Sequence, residues 1–141
     1  MRQPDYLHTL AQIDVLSECS RSELNSASSL LTRLAVPAGE TVVREHSIGR
    51  EFLIIVDGSL DVTTGTGPNA RLLGTVGAGE VVGEMSLLNH TPRSATVTTT
   101  SPTTLYAGNA REFYAFLDAA PSAAERIIAT ARVRADANRA A

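Results

Sequence analysis

Gly83-Glu84-Met85-Ser86-Leu87-Leu88-Asn89-His90-Thr91-Pro92-Arg93-Ser94-Ala95-Thr96-Val97 gathers, in one short run, the groups needed to hold a small anionic ester that carries hydroxyls. Gly83 lets a backbone approach a ligand with no side chain in the way, and Glu84 is an acceptor suited to sugar hydroxyls. Met85 and Ser86 open a segment too short for a free-standing helix. One turn there would still aim unpaired N–H groups at a phosphate. Arg93 supplies a planar cationic fork matched to phosphate oxygens, Pro92 fixes the approach to it, and Ser94 adds a hydroxyl with a rotatable donor.

The run is flanked by β-prone sequence. Thr41–Arg44, Phe52–Val56, Leu60–Thr64 and Arg71–Val76 are short apolar or β-branched stretches punctuated by Gly49, Gly58, Gly65, Gly67, Gly74, Gly77 and Gly79. That spacing predicts an all-β roll or sandwich. Asp57-Gly58 reads as a hairpin turn. After the run, Ser94–Thr100 and Thr103–Ala107 read as two further strands, so the roll occupies about residues 35–107.

Helical patterns lie outside this roll, over about 7–34 and 109–138. Leu7, Leu10, Ala11, Ile13 and Leu16 suit a short amphipathic helix. Ser20 and Glu23 form a capping box ahead of Leu24, Ala27, Leu30, Leu31 and Leu34, which predicts a helix over about Arg21–Leu34. Asn109 and Glu112 repeat the cap before Phe113, Phe116 and Leu117, and Pro121 starts another helix with an apolar stripe of Ala124, Ile127, Ile128 and Ala131. The stripe packs on the roll or pairs with a second copy, so a homodimer through this helix is one expectation. The Ala-Arg-rich end from Arg132 reads as a fraying terminus or as the place where a longer chain was cut.

The 141 residues suit one domain, and 43% hydrophobic with 19% charged residues is ordinary for a soluble protein. A net charge of −3 with a pI near 5.6 gives no basic nucleic-acid surface. All 12 basic residues are arginine, so any anion site is an arginine site. Cys19 is the single cysteine, which excludes an intramolecular disulfide and a cysteine metal cluster. The polar N-terminus has no signal core, and no apolar run approaches the ~18 residues that span a bilayer, so the reading is cytoplasmic and non-membrane. His8, His46 and His90 lack ligand-like spacing. A cupin enzyme would need several metal-binding residues where only His46 and Glu51 lie near each other, and there is no nucleophile elbow, so neither a metal nor an enzyme is expected.

Gly83-Glu84-Met85-Ser86-Leu87 followed by Pro92-Arg93-Ser94-Ala95-Thr96 resembles the phosphate-binding cassette of cyclic nucleotide-binding domains, the family of the bacterial catabolite activator and the regulatory subunits of cyclic AMP-dependent kinase. The resemblance covers roughly residues 7–135 and implies an α+β, mainly β fold: a double-stranded, jelly-roll-like β-roll flanked by N-terminal and C-terminal helices. It further implies that Glu84 takes the ribose 2′-hydroxyl and Arg93 the cyclic phosphate, with main-chain N–H groups near Gly83, Met85, Ser94 and Ala95 completing the cradle. One departure is Val82, where the family often has an aromatic residue. The purine would pack on Val62, Leu72, Leu73 and Val82 and against the last helix; taken singly, each equally suits an ordinary core position. Ser94, at a position where the family's Thr goes with cyclic GMP and its Ala with cyclic AMP, leans to cyclic AMP. The implied function is a sensor whose C-terminal helices report occupancy to an effector protein or domain outside these residues. The alternative is an interaction scaffold of the same fold that does not bind nucleotide.

Overall fold

Phe52-Leu53-Ile54-Ile55 is buried at every position, which a strand with one wet face does not allow. The computed structural model, which describes residues 16–48, 51–83, 87 and 91–129, shows why. In order, the elements are α1 (Arg21–Ser28), β1 (Thr32–Val36), β2 (Thr41–Val43), β3 (Glu51–Asp57), β4 (Ser59–Thr64), a 3-10 turn (Gly67–Asn69), β5 (Arg71–Gly77), β6 (Val81–Val82), β7 (Thr96–Thr99), β8 (Thr103–Asn109) and α2 (Ala110–Ala119). Residues 121–129 are also helical and are called α3.

The strands form two four-stranded antiparallel sheets, β1-β8-β3-β6 and β2-β7-β4-β5. The first sheet lies between the helices and the second sheet. Phe52, Ile54, Val81 and Tyr106 therefore join α1, α2 and α3 in one core with Leu24, Phe113, Phe116 and Ile127. Their neighbours Leu53, Ile55, Val82, Leu105 and Ala107 face the opposite way, into a second core with Leu60, Val76 and Val97. Period-two alternation thus persists, but with an apolar partner on each face. Phe52 anchors the helical side, its ring 4.7 Å from Phe113 and 5.5 Å from Phe116, both tilted. Such pairs add about 0.5–1.5 kcal/mol beyond area burial.

The architecture is the mainly β, jelly-roll-like roll with flanking helices that the sequence implies. Three local expectations change. The helix expected over Arg21–Leu34 stops at Ser28: the Ser20–Glu23 capping box is present, but the Ser29 hydroxyl turns back to the Ser26 carbonyl, and Leu34 becomes part of β1, paired with Leu105. Five ladder positions along β8 outweigh the helical spacing of Leu31 and Leu34. Asp57-Gly58 is not a hairpin, because β3 and β4 belong to different sheets. Gly58 (φ +120°) makes the corner, where a β-carbon would collide with Thr103. The strand expected over Ser94–Thr100 is Thr96–Thr99.

At the other end, Asn109 and Glu112 form the expected reciprocal cap of α2. The stripe on α3 packs within the chain: Ile127 and Ala123 are fully buried in the helical-side core, while Ala124 and Ile128 are half-buried. Ala131 and the stretch Tyr6 to Val15 of the first expected helix lie outside the described residues.

Candidate functional site

The two ends of the Gly83–Val97 run meet. Gly83 closes β6 with φ +88°, a conformation open to glycine and strained for other residues. Arg93 returns to it: its Nη1 donates to the Gly83 carbonyl at 2.8 Å, and its Nη2 donates to the Glu51 carbonyl. A β-carbon on Gly83 would lie 2.5 Å from Nη1 and 2.8 Å from the Glu51 oxygen. The partner that needs the missing side chain is therefore the arginine of the same run.

Arg93 is held by its main chain as well. Its N–H donates to the Ser47 carbonyl and its carbonyl accepts from the His46 N–H, both at 2.8 Å, next to the bridge between Ile48 and Pro92. The residue is 8% exposed, which for a cation requires good partners. Two of the guanidinium's five donors go to the carbonyls of Gly83 and Glu51, so the fork is oriented at the cassette.

His46 makes this clamp from φ 70°, an uncommon conformation for a residue with a side chain. Glu45 supports it. Its main-chain N–H donates to Thr96 Oγ1 at 3.0 Å, and its carboxylate accepts from the Thr64 hydroxyl and from the Gly65 N–H at 2.9 Å. Those two bonds, the hydroxyl first, hold the Glu45 carboxyl below its usual range. One residue, by its carboxylate and its main-chain N–H, thus ties the β4–β5 turn to the strand that carries the cassette's last residues.

The remaining predicted contacts fall in different places. Glu84, Met85 and Ser86 lie outside the described residues. Ser94 is exposed and Ala95 buried. Val82, 5% exposed, pairs with Leu53 in the core between the sheets, and Val62 packs against the same core from β4. Val62 pairs with Gly74 and Thr63 with Leu72, which leaves Leu73 as the extra residue of a β-bulge, a device that re-aims a side chain. Leu72 and Leu73 are exposed on this edge strand. Sequence reasoning missed Glu45 and Ser47, and it weighed His46 and Glu51 only as a metal-ligand pair, whereas the His46 main-chain N–H and the Glu51 carbonyl are what Arg93 uses. Contacts of main-chain atoms leave no trace in residue type.

The helices reach the run through Leu87, which is 4% exposed in the helical-side core and whose carbonyl accepts from the Tyr114 hydroxyl of α2 at 3.0 Å. The start of α3 is tied to α1: Glu23 accepts from the Ser122 N–H and hydroxyl, each at 3.3 Å, while Arg126 donates to Ser17 Oγ at 2.8 Å. Among the described residues no cluster of three or more His, Cys, Asp or Glu is placed to hold a metal, and no helix is long and apolar enough to cross a membrane.

Comparison with known proteins matches this geometry. The family model for the cyclic nucleotide-binding domain matches residues 33–120. A cyclic nucleotide-gated potassium channel of Rhizobium etli is 29% identical over 95% of this chain and 37% of its own length. A cAMP-dependent protein kinase regulatory subunit of Yarrowia lipolytica is 32% identical over 69% of this chain and 25% of its own. The chain therefore spans well under half of the curated relatives it matches. Among solved structures, the catabolite activator protein of Thermus thermophilus superposes with a TM-score of 0.76 at 26% identity, covering 86% of this chain and 58% of the other. With the roll, the Gly83–Arg93 closure and a family match running from β1 to the end of α2, this chain belongs to the cyclic nucleotide-binding domain family.

Proposed function

We propose that this domain is a cyclic AMP sensor in which Arg93 binds the cyclic phosphate, Glu84 the ribose, and α2 and α3 report occupancy to an effector. The observation that carries the reading is the buried guanidinium of Arg93, clamped by its main chain to residues 46–47 and aimed at the Gly83 carbonyl. A cation held in this way costs little further ordering when an anion arrives. Fold alone would not carry it, since the regulatory subunit of a cAMP-independent protein kinase A from Trypanosoma brucei shares the fold with a TM-score of 0.76 at 25% identity.

The main-chain N–H groups of Gly83, Met85, Ser86, Ser94 and Ala95 complete the phosphate cradle, and Val62, Leu73 and Val82 offer the purine an apolar surface. The kinase regulatory subunits among the relatives, together with Ser94, favour cyclic AMP over cyclic GMP. The chemistry is binding, not turnover. An acetyltransferase of Mycolicibacterium smegmatis, 26% identical over 89% of this chain and 37% of its own length, is one kind of whole protein in which such a segment occurs. The reporting path runs from Leu87 through Tyr114 to α2 and on to α3, whose start is fastened to α1. A ligand shifts such a path only by having different contact free energy in its two arrangements.

Isothermal titration with cyclic AMP, cyclic GMP and 5′-AMP, followed by analysis of the recovered nucleotide, tests the reading. Cyclic AMP binds tightest, 5′-AMP weakest, and the nucleotide is recovered intact. No binding of either cyclic nucleotide at millimolar concentration overturns it in favour of a scaffold.

A further inference from the structure

A cavity of about 390 Å³, open to solvent at Leu34, Arg44, Ser47 and Ile48, lies between the β1 and β2 edges. Its walls are apolar: Leu34 and Leu105, which face each other across the β1–β8 ladder, with Val36, Val43 and Leu53. Its polar members, Thr41 on β2 apart, are contiguous. Arg44 and Ser47 belong to one turn, where the Ser47 hydroxyl donates to the Arg44 carbonyl, and the Ser47 carbonyl accepts from Arg93 N–H. Arg93 and Glu51 complete that end. Of the described residues assigned above to the nucleotide, Arg93 alone lines this cavity; Val62, Leu73, Val82, Gly83, Ser94 and Ala95 do not.

The size is that of a small-molecule site, and an apolar body with a few convergent polar groups is the composition of one. Among the described residues Arg44 and Arg93 bring two guanidinium groups to the lining, which suits an anionic head group. The geometry points to a second ligand site, behind the cassette, for a small amphipathic monocarboxylate: its tail between β1, β2 and β8, its carboxylate at the Arg44 side chain, within reach of Arg93. Because Arg93 belongs to both sites, the carboxylate and the cyclic nucleotide draw on one guanidinium and oppose each other. That opposition rests on the proposed nucleotide reading; binding of the carboxylate does not.

Decanoate is the probe, titrated calorimetrically into the nucleotide-free protein, with acetate and decanol as the tail-less and charge-less controls. Decanoate binds at one site, and both controls bind at least about tenfold more weakly. Arg44→Ala weakens decanoate by about tenfold, the order expected for one charge-assisted hydrogen bond. Leu34→Trp, at a position 43% exposed, fills the mouth and weakens it similarly while leaving cyclic AMP affinity within about twofold. Circular dichroism confirms that both variants are folded. No decanoate binding, equal binding of decanol, or binding unchanged in both variants overturns the site. Decanoate that binds as described yet leaves cyclic AMP affinity unaltered overturns the shared use of Arg93 alone, and a chain that binds decanoate but no cyclic nucleotide refutes the nucleotide reading and keeps the cavity.

Discussion

Arg93 Nη1 and the Gly83 carbonyl oxygen are 2.8 Å apart, and a β-carbon at residue 83 would intrude to 2.5 Å of the same nitrogen. Glycine is thus required twice at this position, by its φ of +88° and by the guanidinium against it. Gly83→Ala is expected to destabilise the domain by about 1–3 kcal/mol through backbone strain and to displace the fork. Urea unfolding reads the first effect and cyclic AMP titration the second. A variant with parental stability and affinity would show that the closure has no role.

Arg93→Ala removes the phosphate's counter-charge and is expected to weaken cyclic AMP by about 2–5 kcal/mol, the range for truncating one partner of a buried charge pair. It also withdraws a donor from the carbonyls of Gly83 and Glu51, so stability without ligand falls by about 1–3 kcal/mol. Arg93→Lys restores charge but not the two-pronged contact, and its affinity falls between the two. Binding by Arg93→Ala within threefold of the parent removes Arg93 from the site.

Glu45 links acid stability to the cassette. Its folded carboxyl titrates below the ordinary value because the Thr64 hydroxyl and the Gly65 N–H bind the charged form. A depressed carboxyl pKa contributes stability that is complete above the unfolded value, about 4.3 for Glu, and is lost as pH falls through the folded one. Glu45→Gln is therefore expected to flatten the fall in melting temperature from about pH 5 downward. An identical pH profile for both proteins counts against this bond.

Ser94 bears on the choice of base. Ser94→Thr is expected to raise affinity for cyclic GMP relative to cyclic AMP, and Ser94→Ala to leave cyclic AMP nearly unchanged. Competitive titration gives both ratios. If neither substitution moves the ratio, the residue does not select the base.

Glu23 serves α1 as its capping-box acid and α3 as an acceptor for Ser122, 99 residues away. Amide exchange should fall on addition of cyclic AMP in residues 121–129 as well as in 91–97. Glu23→Ala should raise exchange in residues 21–28 and 121–129 without ligand. Ligand protection confined to the cassette would separate binding from the helices and remove them as the output.

Local chemistry was legible in the residues alone. The capping boxes at Ser20–Glu23 and Asn109–Glu112 and the glycine-punctuated strands depend on neighbours a few positions apart, so residue type and spacing determined them. The Gly83–Val97 run was legible for the same reason, as an anion site with an arginine fork. What the tertiary structure decided depends on partners far along the chain. Leu34 is a strand residue because β8 offers it Leu105, Asp57-Gly58 turns between sheets because Thr103 packs on the corner, and Phe52 to Ile55 is wholly apolar because its sheet has a core on each face. Arg93 meets Gly83, Glu51 and residues 46–47 through main-chain atoms that every residue carries, and only the folded path of the chain determines which of them stand together.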